Sequence, residues 1–198
     1  MVRTESQMLQ LGTQAPSFDL KNVIDDQDVT LSDFTGEKGT LVFFICNHCP
    51  FVIHVRDEFK PLYEEYSKKG ISFIAINSNS LETHPQDGPE SMKALALSMG
   101  WKFPFLFDAT QEVAKAYSAA CTPDFFLFDQ ETKLYYRGQL DDSRPENGIP
   151  LTGKDLRYAM DALLEDASPP EDQRPSLGCN IKWTPGNEPH YFSSQLLL

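Results

Sequence analysis

Leu41-Val42-Phe43-Phe44-Ile45-Cys46-Asn47-His48-Cys49-Pro50-Phe51-Val52 is the stretch that decides the fold. Its first five residues form a continuous apolar run of strand length, the pattern of a strand buried on both faces. Pro50 lacks an amide hydrogen and fits a helix best in the first turn, which places a helix start near residues 46–50. Both cysteine sulfurs then lie at the positive end of that helix, beside unpaired amides. A thiolate is stabilised there and becomes a nucleophile at neutral pH. The Cys-x-x-Cys spacing brings the two sulfurs within disulfide reach.

Outward from this stretch, Phe51, Val52, Val55, Phe59, Leu62, Tyr63 and Tyr66 recur at helical spacing and predict a helix of about five turns, kinked at Pro61. Lys68, Lys69 and Gly70 supply its end. Ile71 to Ile76 reads as a second buried strand, so the unit is strand, helix, strand with a right-handed crossover. The chemistry belongs at the carboxyl end of the first strand. Before it, residues 14–36 read as short extended pieces and a brief turn around Leu31 and Phe34. After it, a polar loop (82–89) leads to a helix ending near Met99-Gly100, and Phe105-Leu106-Phe107 is a short strand. Asp108 with Gln111 fits a reciprocal cap for a small helix through Tyr117. Phe125–Phe128 and Leu134–Arg137 pair as a hairpin, and a last helix runs from Lys154 to about Leu164. Residues 1–166 form one domain, while 167–198 are a linker and a tail expected to pack on the domain or on a neighbour, its closing Leu196-Leu197-Leu198 included.

Composition bounds the function. The chain has 198 residues, with 17 Lys+Arg against 29 Asp+Glu, a formal charge of −12. That balance excludes nucleic acid and anionic membrane as primary partners. No apolar run approaches the roughly 18 residues of a membrane span, and the start has no apolar secretory core, so the expected compartment is cytoplasmic. Four cysteines are too few to staple a chain of this length, which turns attention to redox or metal chemistry. As half of a zinc site, Cys46 and Cys49 would need two more ligands, drawn from Cys121, Cys179, His48 or His54, and nothing in the spacing brings these together. We therefore expect no metal and no organic cofactor. The acidic pairs Asp25-Asp26, Asp141-Asp142 and Glu171-Asp172 read as solvated surface, as do His84 and His190; His54 lies off the apolar stripe.

Gly12-x-x-Ala15-Pro16-x-Phe18-x-Leu20, Leu31-Ser32-Asp33-Phe34-x-Gly36, Leu41 to Cys49, Thr122-Pro123 and Phe126-x-Phe128-Asp129 together resemble the AhpC/TSA (alkyl hydroperoxide reductase/thiol-specific antioxidant) branch of thioredoxin-fold proteins, over about residues 10–165. Within it, Cys46 to Val52 and Pro175 to Trp183 resemble a subgroup labelled peroxiredoxin-like or thiol-disulfide isomerase. The resemblance implies an α/β thioredoxin fold, a central mixed sheet flanked by helices, with an N-terminal β extension and the tail. It also implies that Pro123 is the cis-proline and that Thr122 and Pro123 shape a substrate groove facing the redox pair. Cys121 would then lie beside Cys46 and Cys49 as a further thiol, or be a small buried residue. Cys179 would resolve a disulfide, or simply pack.

The expected activity is thiol-disulfide exchange, with Cys46 as attacking thiol and Cys49 as resolving thiol, and Asn47, His48 and Pro50 in support. A protonated His48 would favour the reduced form and make the pair more oxidising than thioredoxin, whose potential is about −270 mV. The partners would be protein or small-molecule disulfides, or peroxide, with a thiol reductant; an oligomer is left open. A thiol-dependent peroxidase is the alternative, and a metal-binding or chaperone-like module a third. Against the peroxidase, the Pro and Thr/Ser places of P-x-x-x-[T/S]-x-x-C hold Val42 and Cys46; Arg137 is a candidate for its arginine, with nothing in the sequence to place it. Unlike thioredoxin, the chain has Ile45 in place of the Trp and Thr40 in place of the buried carboxylate.

Overall fold

The computed structural model describes residues 3–34 and 38–192. Its axis is β4 (Gly39–Phe44), buried at every position. Leu41 and Phe43 project into one core, and Val42 and Phe44 into the other. A strand covered on both sides favours apolar side chains, hence the run Leu41 to Phe44; the buried Thr40 satisfies its hydroxyl on the Phe34 carbonyl at 3.0 Å. β5 (Ile71–Asn77) lies parallel to β4, and β6 (Phe105–Phe107) parallel to β5. On the other flank β8 (Asp124–Asp129) runs antiparallel to β4, and β9 (Leu134–Gly138) antiparallel to β8. β2 (Asp19–Asn22) and β3 (Asp28–Thr30) extend the β6 edge, giving a mixed sheet of order β3-β2-β6-β5-β4-β8-β9.

The helix after β4 is segmented: α1 (Pro50–Val55), a 3-10 turn at Arg56–Glu58, α2 (Phe59–Tyr66), then a 3-10 turn at Ser67–Lys69 ended by Gly70 at φ 93°. The expected kink at Pro61 falls a turn earlier, because the proline can neither donate to the carbonyl of Asp57 nor avoid crowding it. α3 (Pro89–Met99), α4 (Glu112–Ala116) and α5 (Lys154–Leu164) complete the layers. The reciprocal cap expected of Asp108 and Gln111 does not form. Gln111 itself takes the cap position, with φ 66°. Asp108 Oδ2 accepts the Ala114 N–H at 2.9 Å and the Ser78 hydroxyl at 2.8 Å. The Gln111 amide instead donates to the Ser78 and Lys182 carbonyls at 2.7 and 3.0 Å, so a tail residue claims the group the cap needed.

The tail carries β10 (Leu177–Asn180), which lies antiparallel between β1 (Arg3–Glu5) and β7 (Cys121–Thr122). Its register sets Cys179 opposite Arg3 on one side and Thr122 on the other. Trp183 and Tyr191 fill the second core, where the Tyr191 hydroxyl donates to the Ala119 carbonyl at 3.1 Å. Gly36 and Leu196 to Leu198 lie outside the described residues. Among the described residues no helix is long and apolar enough to cross a membrane.

Close approach in this small sheet rests on Gly178. A Cβ there would sit 2.0 Å from the Thr122 carbonyl oxygen and 2.6 Å from its carbon, both backbone atoms that cannot swing aside. Gly178→Ala is therefore expected to destabilise the fold by about 3 kcal/mol, the upper end of overpacking. Urea denaturation measures it, and an unchanged midpoint would contradict the packing.

Candidate active site

Cys49 is the N-cap of α1 and Pro50 its first residue, so the helix begins at the second cysteine. The Cys49 carbonyl accepts the Ile53 N–H at 2.9 Å, and the backbone amide of Val52, the third residue of the helix, faces the Cys49 sulfur without forming a capping hydrogen bond. Cys46 lies one step before, with Sγ 3.5 Å from the Thr122 hydroxyl and hydrogen-bonded to Cys49. Cys49 Sγ lies 3.1 Å from the Thr122 carbonyl. The Thr122–Pro123 bond is cis, and the loop it forms closes over the two sulfurs.

The structure corrects the exposure expected of Cys46. Neither sulfur is at an exposed helix end: Cys46 is 1% and Cys49 0% accessible. Cys46 is pushed well up, first by its hydrogen bond to Cys49, then by burial and by the nearby Asp87 carboxylate. Cys49 is held far below the usual thiol range, chiefly by hydrogen bonds from the Cys179 and Cys46 thiols, with the Val52 amide adding to them. The donors on Cys49 favour a negative charge there over one on Cys46, while the Thr122 carbonyl 3.1 Å from its sulfur opposes it.

His48 is also not a free cation beside the thiolate. Its Nδ1 meets Asp87 Oδ2 at 2.6 Å and stands 3.9 Å from Cys46 Sγ, so any positive charge it carries is spent on the carboxylate. Asp87 is fully buried. It accepts the Asn47 N–H at 3.0 Å and the Asn79 side-chain amide at 2.8 Å, while its own carbonyl accepts from Asn77 at 2.8 Å. Asn47 donates further to the Gln86 carbonyl, at 3.4 Å. His84, expected on the surface, stacks on His48 with ring centroids 4.9 Å apart. Asp87 and His84 escaped sequence reasoning. The one available signal was the rule that sites gather at the carboxyl ends of neighbouring strands, since their loop follows β5.

Of the two outlying thiols, Cys121 turns away from the pair. Its Sγ points to the Pro123 and Ser176 carbonyls at 3.6 and 3.9 Å, and burial pushes it well above its ordinary value. Cys179 is the one that meets the pair, hydrogen-bonded to Cys49. His54 caps no sulfur; its Nε2 contacts the Ser143 hydroxyl at 2.7 Å. Arg137 is committed to the Gln173 carbonyl oxygen at 2.7 Å. Cys46 Sγ, His48 Nδ1 and an Asp87 carboxylate oxygen all lie within 4.8 Å of one another, a spacing that could hold a metal ion with three ligands.

A β4–Cys-x-x-Cys–α1 corner facing a cis-proline loop is the geometry of a thioredoxin fold, and residues 11–137 match the AhpC/TSA family. The chain belongs to the AhpC/TSA family. An uncharacterized conserved protein from Geobacillus kaustophilus, solved by crystallography, is 57% identical, with a TM-score of 0.92 over 94% of this chain and 98% of that one. The thioredoxin domain of a thiol-disulfide oxidoreductase from Bacteroides vulgatus, 19% identical, shares the fold, with a TM-score of 0.58 over 76% of this chain and 99% of that one. The thiol-disulfide oxidoreductase ResA of Geobacillus kaustophilus (strain HTA426) is 28% identical over 131 residues, 66% of this chain and 70% of ResA. An AhpC/TSA protein with these relatives is an oxidoreductase enzyme. The family match ends before α5 and before Cys179.

Proposed function

We propose that the protein is a thiol-disulfide oxidoreductase that cycles Cys46 and Cys49 between dithiol and disulfide. The observation that carries this reading is the convergence of both sulfurs on Thr122 of the cis Thr122–Pro123 loop at the start of α1, Cys46 Sγ 3.5 Å from its hydroxyl and Cys49 Sγ 3.1 Å from its carbonyl. In the reduced state the Cys49 thiolate attacks a substrate disulfide, forming a mixed disulfide and releasing one substrate thiol. Cys46 then gives up its proton and attacks Cys49 Sγ; the second substrate thiol leaves and the Cys46–Cys49 disulfide remains. A thiol reductant reverses the sequence. Because neither sulfur faces solvent, a substrate reaches the pair by displacing its cover or through another thiol.

Stabilising the Cys49 thiolate stabilises the dithiol, which makes the disulfide the stronger oxidant. Equilibration with glutathione buffers, read by thiol alkylation, is expected to give a potential above thioredoxin's about −270 mV. A value at or below it would remove the oxidising assignment.

Peroxide reduction is the weaker reading, since Arg137 is engaged with Gln173 and the hydroxyl place of the peroxidatic motif holds Cys46. Stopped-flow mixing with hydrogen peroxide should show only slow oxidation typical of an ordinary thiol. One observation favours a different second reading, capture of a thiophilic metal, namely the convergence of Cys46, His48 and Asp87. Stoichiometric zinc lost on Cys46→Ser would support that reading over turnover.

A further inference from the structure

The redox pair is buried, and Cys49 is hydrogen-bonded to a third buried sulfur that borders a cleft. Cys179 is itself only 2% exposed, but it lines a cleft of about 620 Å³, within the usual range of small-ligand sites. Arg3, Pro50, Phe51, Arg144 and Leu177 form other parts of its wall. Cys179 is thus the one cysteine with a face on the redox pair and another on a cavity open to solvent. β10 holds it there: its register sets Cys179 against Thr122, whose carbonyl is 3.1 Å from Cys49 Sγ, and Gly178 permits the approach.

We propose that Cys179 is the outlet thiol of this centre, passing the disulfide between buried Cys49 and a carboxylate-bearing, low-molecular-weight thiol bound in the cleft. The proposal deepens the thiol-disulfide reading and rests on it. In the oxidised centre the Cys179 thiol loses its proton and attacks Cys49 Sγ. The Cys49–Cys179 bond forms as the Cys46–Cys49 bond breaks, and Cys46 leaves as a thiolate that takes up the proton. No electrons are gained or lost in that step. A thiol RSH, as its thiolate, then attacks Cys179 Sγ, forming a mixed disulfide and releasing Cys49 as its stabilised thiolate. A second RSH attacks the RS sulfur, releasing RSSR and restoring the Cys179 thiol. Two RSH are oxidised to RSSR, and one internal disulfide is reduced to two thiols.

The cleft names the class of RSH. Its size suits a small molecule rather than a folded protein's disulfide loop. In a chain of net charge −12, two arginines face it against one rim carboxylate, Glu146. The Arg144 guanidinium is held by neutral acceptors, the Asp141, Ser143 and Gln139 oxygens at 2.5, 2.7 and 2.5 Å, so these bonds fix it without cancelling its charge. A fixed guanidinium is suited to a carboxylate.

The test begins with the full chain bearing Cys46→Ser, oxidised with glutathione disulfide, alkylated, digested and mapped by mass spectrometry. The expected product is a Cys49–Cys179 disulfide. A variant that stays reduced or carries only glutathione on Cys49, while the unaltered chain forms Cys46–Cys49, overturns the relay and leaves the oxidoreductase reading standing. Failure of the unaltered chain to form Cys46–Cys49 overturns both. In stopped flow, Cys179→Ser and Cys179→Ala, each shown folded by circular dichroism, should slow reduction of the oxidised protein by glutathione about tenfold or more. An unchanged rate removes the outlet role. Glutathione, with two carboxylates, is then compared with cysteamine, a cationic thiol. Arg144→Gln should slow glutathione alone, and Arg144→Lys should restore most of the loss. Equal slowing of both thiols would overturn the carboxylate assignment.

Discussion

Cys49→Ser is expected to abolish disulfide exchange, lowering the rate by on the order of a thousandfold or more, as loss of an enzyme's nucleophile does. The Cys179 and Cys46 thiols donate to Cys49, and the Val52 amide faces it. A serine hydroxyl placed there does not ionise at neutral pH and cannot form a disulfide. Cys46→Ser, in contrast, leaves the thiolate in place with a hydroxyl donor beside it and removes only the first resolving partner. Its alkylation by iodoacetamide, limited in absolute rate by the burial of the sulfur, should therefore persist with little change down to acidic pH, because the Cys49 thiol sits far below its ordinary range. In Cys49→Ser that low-pH reactivity should vanish, since burial still holds the Cys46 and Cys179 thiols up once the Cys49 sulfur is gone. If Cys49→Ser keeps a rapidly alkylated thiol at pH 6 and Cys46→Ser does not, the two cysteines exchange roles and the assignment of the nucleophile fails.

The second large effect concerns stability. Asp124 opens β8 just after the cis-proline and is fully buried. Burial raises its carboxyl to about 8, against the hydrogen bonds from the Ala120, Cys121 and Phe125 amides and the Ser6 hydroxyl, which pull it down. In the unfolded chain an aspartate titrates near 4. As pH rises from about 4 to about 8, the unfolded chain releases this proton while the folded chain keeps it. The folded state binds more protons across that window, so stability falls through it and levels off above it. The shift corresponds to a loss on the order of 5 kcal/mol. Asp124→Asn, neutral at every pH, should match the parent near pH 4 and be the more stable protein at pH 8. Urea midpoints measured at intervals from pH 4 to 9 decide the matter; parallel curves for the two proteins would show that Asp124 is ionised when folded.

What could be read without coordinates was whatever depends on neighbours in sequence. The double burial of β4 shows in Leu41 to Phe44, the helix start in Pro50, and α5 in its apolar spacing, which matches the observed Lys154–Leu164. The segmentation of the helix after the pair was only half legible. Pro61 announces a distortion, but the turn that absorbs it depends on which carbonyl is crowded. The surroundings of the cysteines were illegible for a different reason. Asp87 reaches Asn47 across 40 positions, and Cys179 reaches Thr122 across a strand pairing that no local pattern encodes. His84 sits beside a proline in a polar loop, where an isolated histidine reads as surface until its ring is found over His48. Reading Cys46 as the attacking thiol followed from placing it further toward an exposed helix end, whereas both sulfurs are buried and the cap is Cys49.

β10 joins the two ends of the chain, Arg3–Glu5 and the tail, to the strand that leads into the cis-proline. Docking of the tail places a donor on Cys49, so docking and the redox state of the pair are thermodynamically linked. Linkage is reciprocal: whatever the tail contributes to holding the dithiol reduced, the reduced dithiol returns as affinity for the tail. Oxidation then loosens the tail by the same free energy by which the tail shifts the potential. Protease cleavage within residues 167–175 would thus proceed at a rate that reports, from outside the molecule, which electrons it holds.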